Sequence, residues 1–121
     1  MSNPSGAPLE RDVQRAIINL VKRVYPQAWV CHIPNENGGK LTQRQMWARK
    51  ADGLTAGAPD LAVAWPGAVV TWLEVKRPNG GSVSERQASV HERLRSMGFH
   101  VAVVRSVDEA KAAFKAAGVI A

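Results

Sequence analysis

Two runs of strand-forming residues, 61–65 and 69–77, are separated only by Pro-Gly-Ala at 66–68. Apolar runs of this length on either side of a short turn predict an antiparallel β-hairpin. The second run carries Glu74 and Lys76 inside an otherwise apolar segment, which is typical of a buried strand. Because charged side chains are rarely buried without partners, this hairpin constrains both the fold and the groups that the fold must accommodate.

Three elements are predicted before the hairpin. Apolar residues recur at helical spacing over residues 9–24, and Pro26 follows them, so an amphipathic helix is expected there. Residues 28–33 are rich in strand-forming types and lead into a segment of Pro, Asn and Gly, which indicates a short strand and then a loop. Residues 42–52 place Arg and Lys around two apolar side chains and are interpreted as a short basic helix.

Three more elements are predicted after the hairpin. A capping-box pattern at 84–87 begins a helix that Gly98 ends, residues 99–104 form a strand, and a second capping box at 106–109 begins a final helix that stops at Gly118. A helix that connects two strands of one sheet makes those strands parallel. The order therefore predicts an α/β fold with a mixed central sheet and helices on both faces.

The length of 121 residues predicts a single domain spanning residues 1–121, in which residues 1–8 form a flexible start. Cys31 is the only cysteine, so an internal disulfide and Cys-based zinc fingers are excluded by count. No apolar run approaches the roughly 20 residues needed to cross a bilayer, and the opening residues do not resemble a secretory signal. We therefore expect no membrane association and a cytoplasmic location.

The charge of the chain favours a polyanionic partner. Sixteen Lys and Arg against ten Asp and Glu give a net charge of +6, which suits nucleic acid. A solvated basic face would explain the same excess, so charge alone does not decide the function. The cations that we predict to contact phosphates are Lys40, Arg44, Arg49, Lys50 and Arg77.

Three charged side chains of the hairpin are predicted to converge. If the turn is centred on Gly67, antiparallel pairing places Asp60 opposite Glu74, and directly opposed side chains lie roughly 5 Å apart. Glu74 and Lys76 are two residues apart on one strand, so they project from the same face at roughly 6 to 7 Å.

Two carboxylates at this distance repel each other unless a cation lies between them, and hard divalent ions prefer such oxygens. The pattern therefore predicts a Mg²⁺ or Mn²⁺ site at Asp60 and Glu74, with the Val75 carbonyl as a further ligand. Lys76 would orient or help to deprotonate an attacking water and offset charge on a phosphate, which is the chemistry of phosphodiester hydrolysis. Taken singly, an Asp after Pro is also a common turn residue, and Glu with Lys at i+2 is also a solvated face.

A family resemblance rests on five segments, which are Glu10, Gly-Ala-Pro-Asp-Leu at 57–61, Trp-Leu-Glu-Val-Lys at 72–76, Ser84 to Gln87, and residues 98–106. In this order and spacing, over about residues 9–112, they resemble the VRR-NUC branch of the PD-(D/E)xK nucleases. The resemblance implies a restriction-endonuclease-like fold. Stand-alone members of the branch occur in bacteria and phages.

The resemblance also implies residue roles. Asp60 and Glu74 would bind the metal, Lys76 would be the catalytic lysine, Glu10 would complete the site and Gln87 would support it. From the residues alone, the helix dipole explains Glu10 equally well, and the capping box explains Gln87. The resemblance further implies a homodimer that acts on branched DNA such as four-way (Holliday) junctions.

The remaining polar and aromatic residues receive ordinary roles. His32, His91 and His100 are scattered over different elements without metal-ligand spacing, so surface or packing roles are expected. The four tryptophans are expected in the core or a dimer contact, with Trp47, among basic residues, as the candidate for base stacking.

Three functions fit these observations. The first is a metal-dependent, structure-selective DNA endonuclease that acts as a dimer. The second is a non-catalytic nucleic-acid-binding module with the same fold and charge. The third is a sequence-specific restriction-type nuclease, although the chain leaves little room for a base-reading element.

Overall fold

The computed structural model describes residues 9–34, 42–53 and 55–121. Within them the chain forms four helices and four strands in the order α1 (Glu10–Val24), β1 (Trp29–His32), α2 (Gln43–Ala51), β2 (Leu61–Trp65), β3 (Val69–Val75), α3 (Glu85–Ser96), β4 (His100–Val104) and α4 (Val107–Ala116). Every predicted helix and strand is present in this order. No described helix is long and apolar enough to span a membrane.

The four strands form one mixed sheet in the order β1-β2-β3-β4. The first three are antiparallel, and β4 lies parallel to β3 after the α3 crossover. Trp65 pairs with Val69 and Leu61 with Leu73, so the turn is centred on Gly67 as predicted. Gly67 and Ala68 both have positive φ, at 88° and 63°, the backbone conformation that such a tight reversal favours.

The main core lies between one face of the sheet and the pair α1 and α4. Every fourth residue of α1 is buried, and these side chains pack on the inward residues of β2 and β3 together with Phe114 of α4. The aromatic rings of Tyr25, Trp65 and Phe114 pack edge-on or tilted with centroids 4.9 to 6.0 Å apart. The buried apolar residues are Val13, Ile17, Val21, Leu61, Val63, Trp65, Leu73, Val75, Val104, Ala110 and Phe114.

The α3 helix lies on the opposite face of the sheet. Successive strand residues point to opposite faces, and Leu73 belongs to the main core. Its neighbour Glu74 therefore points away from that core, and there it contacts His91 of α3. Helices thus cover both faces, as the sequence predicts.

Two details differ from the predictions. The strand predicted to reach Arg77 ends at Val75, although Lys76 N still donates to Val104 O at 3.0 Å. Pro78, which has no N–H to donate, closes this pairing. Ser106 caps α4 by accepting from Glu109 N, but the returning Glu109 carboxylate accepts from Arg105 N, so the second capping box is incomplete.

The tryptophans divide between core and surface. Trp65 is buried as predicted, whereas Trp29 and Trp47 expose 66% and 64% of their surface. A core position is therefore wrong for these two, whereas a dimer contact for Trp29 and base stacking for Trp47 stay predictions. Trp29 pairs in register with Ala64, on the side of the sheet away from α1 and α4, and Trp47 lies on a helix with no buried residue.

The Trp65 indole gives a test of the core. Its Nε1 donates to Thr71 Oγ1 at 3.1 Å in a buried position. Thr71→Val keeps the shape but leaves the indole N–H without this acceptor, so the free energy of unfolding should fall by about 1 to 2 kcal/mol. Urea denaturation measures the change. Thr55→Val, at an exposed threonine, is the control and should stay within about 0.5 kcal/mol; equal stabilities of the two variants would contradict the expected role of this bond.

Candidate metal centre

Three acidic side chains meet at one end of the sheet. Asp60 immediately precedes β2, Glu74 is the penultimate residue of β3, and Glu10 is the first residue of α1. Because β2 and β3 are antiparallel, the start of one strand lies beside the end of the other. One carboxylate oxygen from each acid lies within 4.8 Å of the others.

The position of Asp60 is set by the hairpin. Its Oδ2 accepts a hydrogen bond from Val75 N at 2.7 Å, and its backbone carbonyl accepts from Ile33 N at 2.7 Å. The side chain is 3% exposed. The predicted pairing of Asp60 with Glu74 continues the observed register, so the strand geometry that the turn determines also places the two carboxylates together.

Gly57 allows the segment that leads to Asp60 to lie close to α3. Its φ is +82°, and a Cβ at this position would lie 2.8 Å from the Arg86 carbonyl oxygen. Any side chain would therefore both strain the backbone and push the turn away from the N-terminus of α3. Glycine is therefore required at position 57 both for its positive φ and for close packing against α3.

Glu74 is 1% exposed and lies among both acids and hydrogen-bond donors. Burial, together with the hydrogen bond and charge of Asp60, raises the pKa of Glu74 to about 9, against the opposing charge of Lys76. Its Oε1 lies 3.0 Å from His91 Nε2, and its Oε2 accepts from Gln87 Nε2 at 3.3 Å. Without a cation, this carboxylate is in an environment that disfavours its charge.

Gln87 links the cap of α3 to the site. Its Oε1 accepts from Ser84 N at 3.0 Å, which completes the predicted capping box, and also from Lys76 Nζ at 3.1 Å. Its Nε2 donates to Glu74. One amide therefore completes the capping box and also contacts Lys76 and Glu74, so the two predicted roles of Gln87 are compatible.

Lys76 is unusually buried for a lysine, with 8% exposed surface. Its Nζ lies 3.9 Å from Glu74 Oε2, so these side chains share one face as their spacing predicts. The Gln87 amide oxygen and the nearby Glu74 carboxylate thus position the Lys76 Nζ beside the three acids.

Glu10 is the exposed member of the group. Burial of part of the side chain and the charge of Asp60 raise its pKa above the ordinary value. The charges of Lys76 and Arg77 oppose this shift. Glu10 thus lies close enough to Asp60, Lys76 and Arg77 for their charges to affect its pKa, and it belongs both to the acidic group and to the first turn of α1.

The donor set fits a hard divalent cation. Three carboxylate oxygens within 4.8 Å repel one another, and two of the acids are almost fully buried. Oxygen ligands in such a group match the preference of Mg²⁺ and Mn²⁺. The Val75 carbonyl, between Glu74 and Lys76 along the chain, remains a predicted further ligand.

An open cleft of about 620 Å³ borders Glu10 and Asp60 and is also lined by basic side chains. Of the predicted phosphate contacts, Arg77 lines this cleft. Arg11, Gln14 and His32, which no sequence pattern assigned to the site, also line it. The adjacency of Arg11 to Glu10 on the first helical turn was the available signal, whereas His32 could be placed only once its strand was paired with β2.

Arg105 holds the loop on one side of the cleft. Its guanidinium donates to the backbone carbonyls of Arg77, Gly80 and Gly81 at 3.0, 2.5 and 3.0 Å. Three bonds from one planar group fix the loop that follows Lys76, and with it the start of the Arg77 side chain.

The predicted phosphate contacts on α2 do not line this cleft. Arg44, Arg49 and Lys50 are exposed on α2, together with Trp47. Arg49 lines a second groove with Trp72 and Thr55 instead of the cleft. Lys40 lies outside the described residues.

Comparisons with known proteins identify the family and agree with the fold. The model of the VRR-NUC domain family matches residues 10–108. A solved structure described as a VRR_NUC domain protein is similar at TM-score 0.70 with 21% identity, over 90% of this chain and 87% of that one. A second, described as a VRR_NUC domain, has TM-score 0.60 with 25% identity, over 88% of this chain and 94% of that one. No curated protein matches.

Proposed function

The chain belongs to the VRR-NUC domain family, a nuclease-type fold, and from that premise we propose that it is a divalent-metal-dependent DNA endonuclease. The observation that carries the proposal is the meeting of three carboxylates with a buried lysine at one end of the sheet. Catalytic roles are proposed for Asp60, Glu74, Lys76, Glu10 and Gln87.

The proposed ligands of a Mg²⁺ or Mn²⁺ ion are the Glu10, Asp60 and Glu74 carboxylates and the Val75 carbonyl. The chemistry that such an ion supplies when bound is polarisation of the scissile phosphate and activation of water. Lys76 orients the attacking water and offsets the negative charge that develops on the phosphate. Gln87 holds the lysine ammonium in place through the 3.1 Å bond to its Nζ.

The substrate strand is proposed to enter through the cleft beside Glu10 and Asp60. Arg11 and Arg77 line it and would neutralise phosphates on either side of the scissile bond. The exposed cations of α2 would contact phosphates further along the duplex, and Trp47 would stack on an unpaired base.

Branched DNA, such as a four-way junction, is the proposed substrate, and a homodimer is the proposed active form. The net charge of +6 supports binding to a densely charged polyanion. The residues that the structure describes contain one group of acids that could hold a metal ion, so we propose that paired cuts across a junction require two copies. We propose that the enzyme acts on intracellular DNA of a bacterial or phage-infected cell.

A cleavage panel tests the proposed function. Labelled linear, flap, splayed and four-way DNA is incubated with the protein in Mg²⁺, Mn²⁺ or EDTA, and products are resolved by denaturing electrophoresis. Metal-dependent cutting, strongest on branched DNA, is expected. Cutting that persists in EDTA would exclude the metal mechanism, and firm binding without cutting would favour a non-catalytic module. Cutting at one base sequence in linear DNA would favour a restriction-type enzyme.

The contribution of α2 is tested by a double substitution, Arg49→Ala with Lys50→Ala. Each lost phosphate contact should reduce the slope of log affinity against log salt by about 0.9, so a reduction of about 2 is expected. Fluorescence anisotropy with labelled duplex DNA measures the slope. Lys111→Ala with Lys115→Ala removes the same charge from α4 and should leave the slope unchanged; equal slopes for both double variants would show that α2 does not contact DNA.

A further inference from the structure

Glu74 is held by two side chains that lie one helical turn apart on α3. Gln87 donates to its Oε2 at 3.3 Å, and His91 Nε2 lies 3.0 Å from its Oε1. Residues four apart on a helix share one face. One face of α3 therefore contacts both oxygens of the carboxylate.

His91 takes no part in the mechanism proposed above, although its burial requires a partner. The side chain is 2% exposed, and burial lowers the pKa of the imidazole below its ordinary value. A buried imidazole without a hydrogen bond would be costly. The partner that His91 contacts is the most buried acid of the site.

We propose that His91 is a positioning residue, which fixes the Glu74 carboxylate in the plane needed to bind the divalent cation. The proposal rests on the proposed function, because it concerns the same metal centre. A glutamate carboxylate rotates about its last bond, and a contact to each oxygen removes this freedom. A ligand whose orientation is fixed before the metal arrives binds it more tightly. Loss of a residue that hydrogen-bonds to a metal ligand typically lowers the metal affinity by about 10- to 100-fold.

The geometry distinguishes this role from that of a direct ligand. The His91 Nε2 is directed at Glu74 Oε1. The oxygens that lie within 4.8 Å of one another come from Glu10, Asp60 and Glu74, and His91 is not a member of that group. The imidazole is thus one layer behind the ligands.

A matched pair of substitutions tests the proposal. His91→Gln places an amide nitrogen close to the position of Nε2, whereas His91→Asn is one methylene shorter and cannot reach Glu74. His91→Leu removes the polar group altogether. Mn²⁺ affinity is measured by isothermal titration calorimetry on the full chain without DNA, and circular dichroism checks that each variant is folded.

His91→Asn and His91→Leu are expected to weaken Mn²⁺ binding by about 10- to 100-fold, with His91→Gln within about threefold of wild type. Rescue by glutamine is the result that a purely structural role would not give. Folded Asn and Leu variants that bind Mn²⁺ as tightly as wild type would overturn the role of His91 alone. A wild-type protein that binds no Mn²⁺ would overturn the metal centre, and His91 positioning with it. If His91→Leu does not fold, the Gln and Asn variants decide.

Discussion

Replacing Lys76 with methionine is expected to lower the DNA cleavage rate by about 1,000-fold while the protein stays folded. Methionine keeps most of the length and the apolar stem of lysine, so packing around this nearly buried side chain changes little. The positive charge beside Glu74 and Gln87 is lost. A positive charge placed where negative charge develops stabilises the transition state more than the bound substrate. Its loss should therefore reduce the cleavage rate far more than the affinity for DNA. Single-turnover cleavage of a four-way junction measures the rate.

Lys115→Met provides the matched control. It removes the same charge from the last turn of α4. The next residue, Ala116, lines a cavity with Thr71 and with His100 at the start of β4. This is the opposite end of the sheet from Lys76. Its cleavage rate should equal that of wild type. A Lys76→Met rate within tenfold of wild type would show that the reaction does not depend on this ammonium.

Glu74→Gln is expected to remove activity and, in the absence of metal, to stabilise the protein. The folded carboxyl keeps its proton until about pH 9, whereas an unfolded glutamate loses it near pH 4.5. Between these values the folded state binds more protons than the unfolded state, so the stability of the metal-free protein falls as pH rises from 4.5 towards 9. Glutamine removes this dependence, and after allowance for solvent screening the gain at pH 7 should be about 1 to 2 kcal/mol.

Thermal denaturation in EDTA from pH 5 to pH 9 measures this effect. Wild type should lose stability with pH more steeply than Glu74→Gln, and added Mn²⁺ should stabilise wild type but not the variant. Glu92→Gln, on the exposed surface of α3, is the control and should follow wild type. Parallel pH profiles for wild type and Glu74→Gln would contradict the assigned environment of the carboxylate.

The central part of the fold and of the site could be predicted because it depends on local rules. The turn at Gly67 fixes the register of β2 and β3, and the register alone places Asp60 beside Glu74. The two-residue period of a strand then places Lys76 on the face of Glu74. The same rules could not fix the end of β3, because one backbone hydrogen bond, from Lys76 N to Val104 O, continues past its last residue.

The parts that could not be predicted depend on packing between distant segments. In the sequence His91 is an isolated histidine on a predicted helix, and only the crossover of α3 over the sheet brings it to Glu74, 17 residues away in sequence. Arg11 and His32 lie on α1 and β1, and they share the cleft only because both elements reach the same end of the sheet. The spacing of residues within one helix or strand carries no information about contacts between residues of different elements. The exposure of Trp29 likewise depends on which face of the sheet α1 and α4 cover.

We propose above all that Glu10, Asp60 and Glu74 together bind a divalent cation. Crystals grown with Mn²⁺ and measured at a wavelength where manganese scatters anomalously test it most directly. An anomalous peak in contact with a carboxylate oxygen from each of the three acids is expected. Crystals at saturating Mn²⁺ with no peak among these oxygens would contradict it.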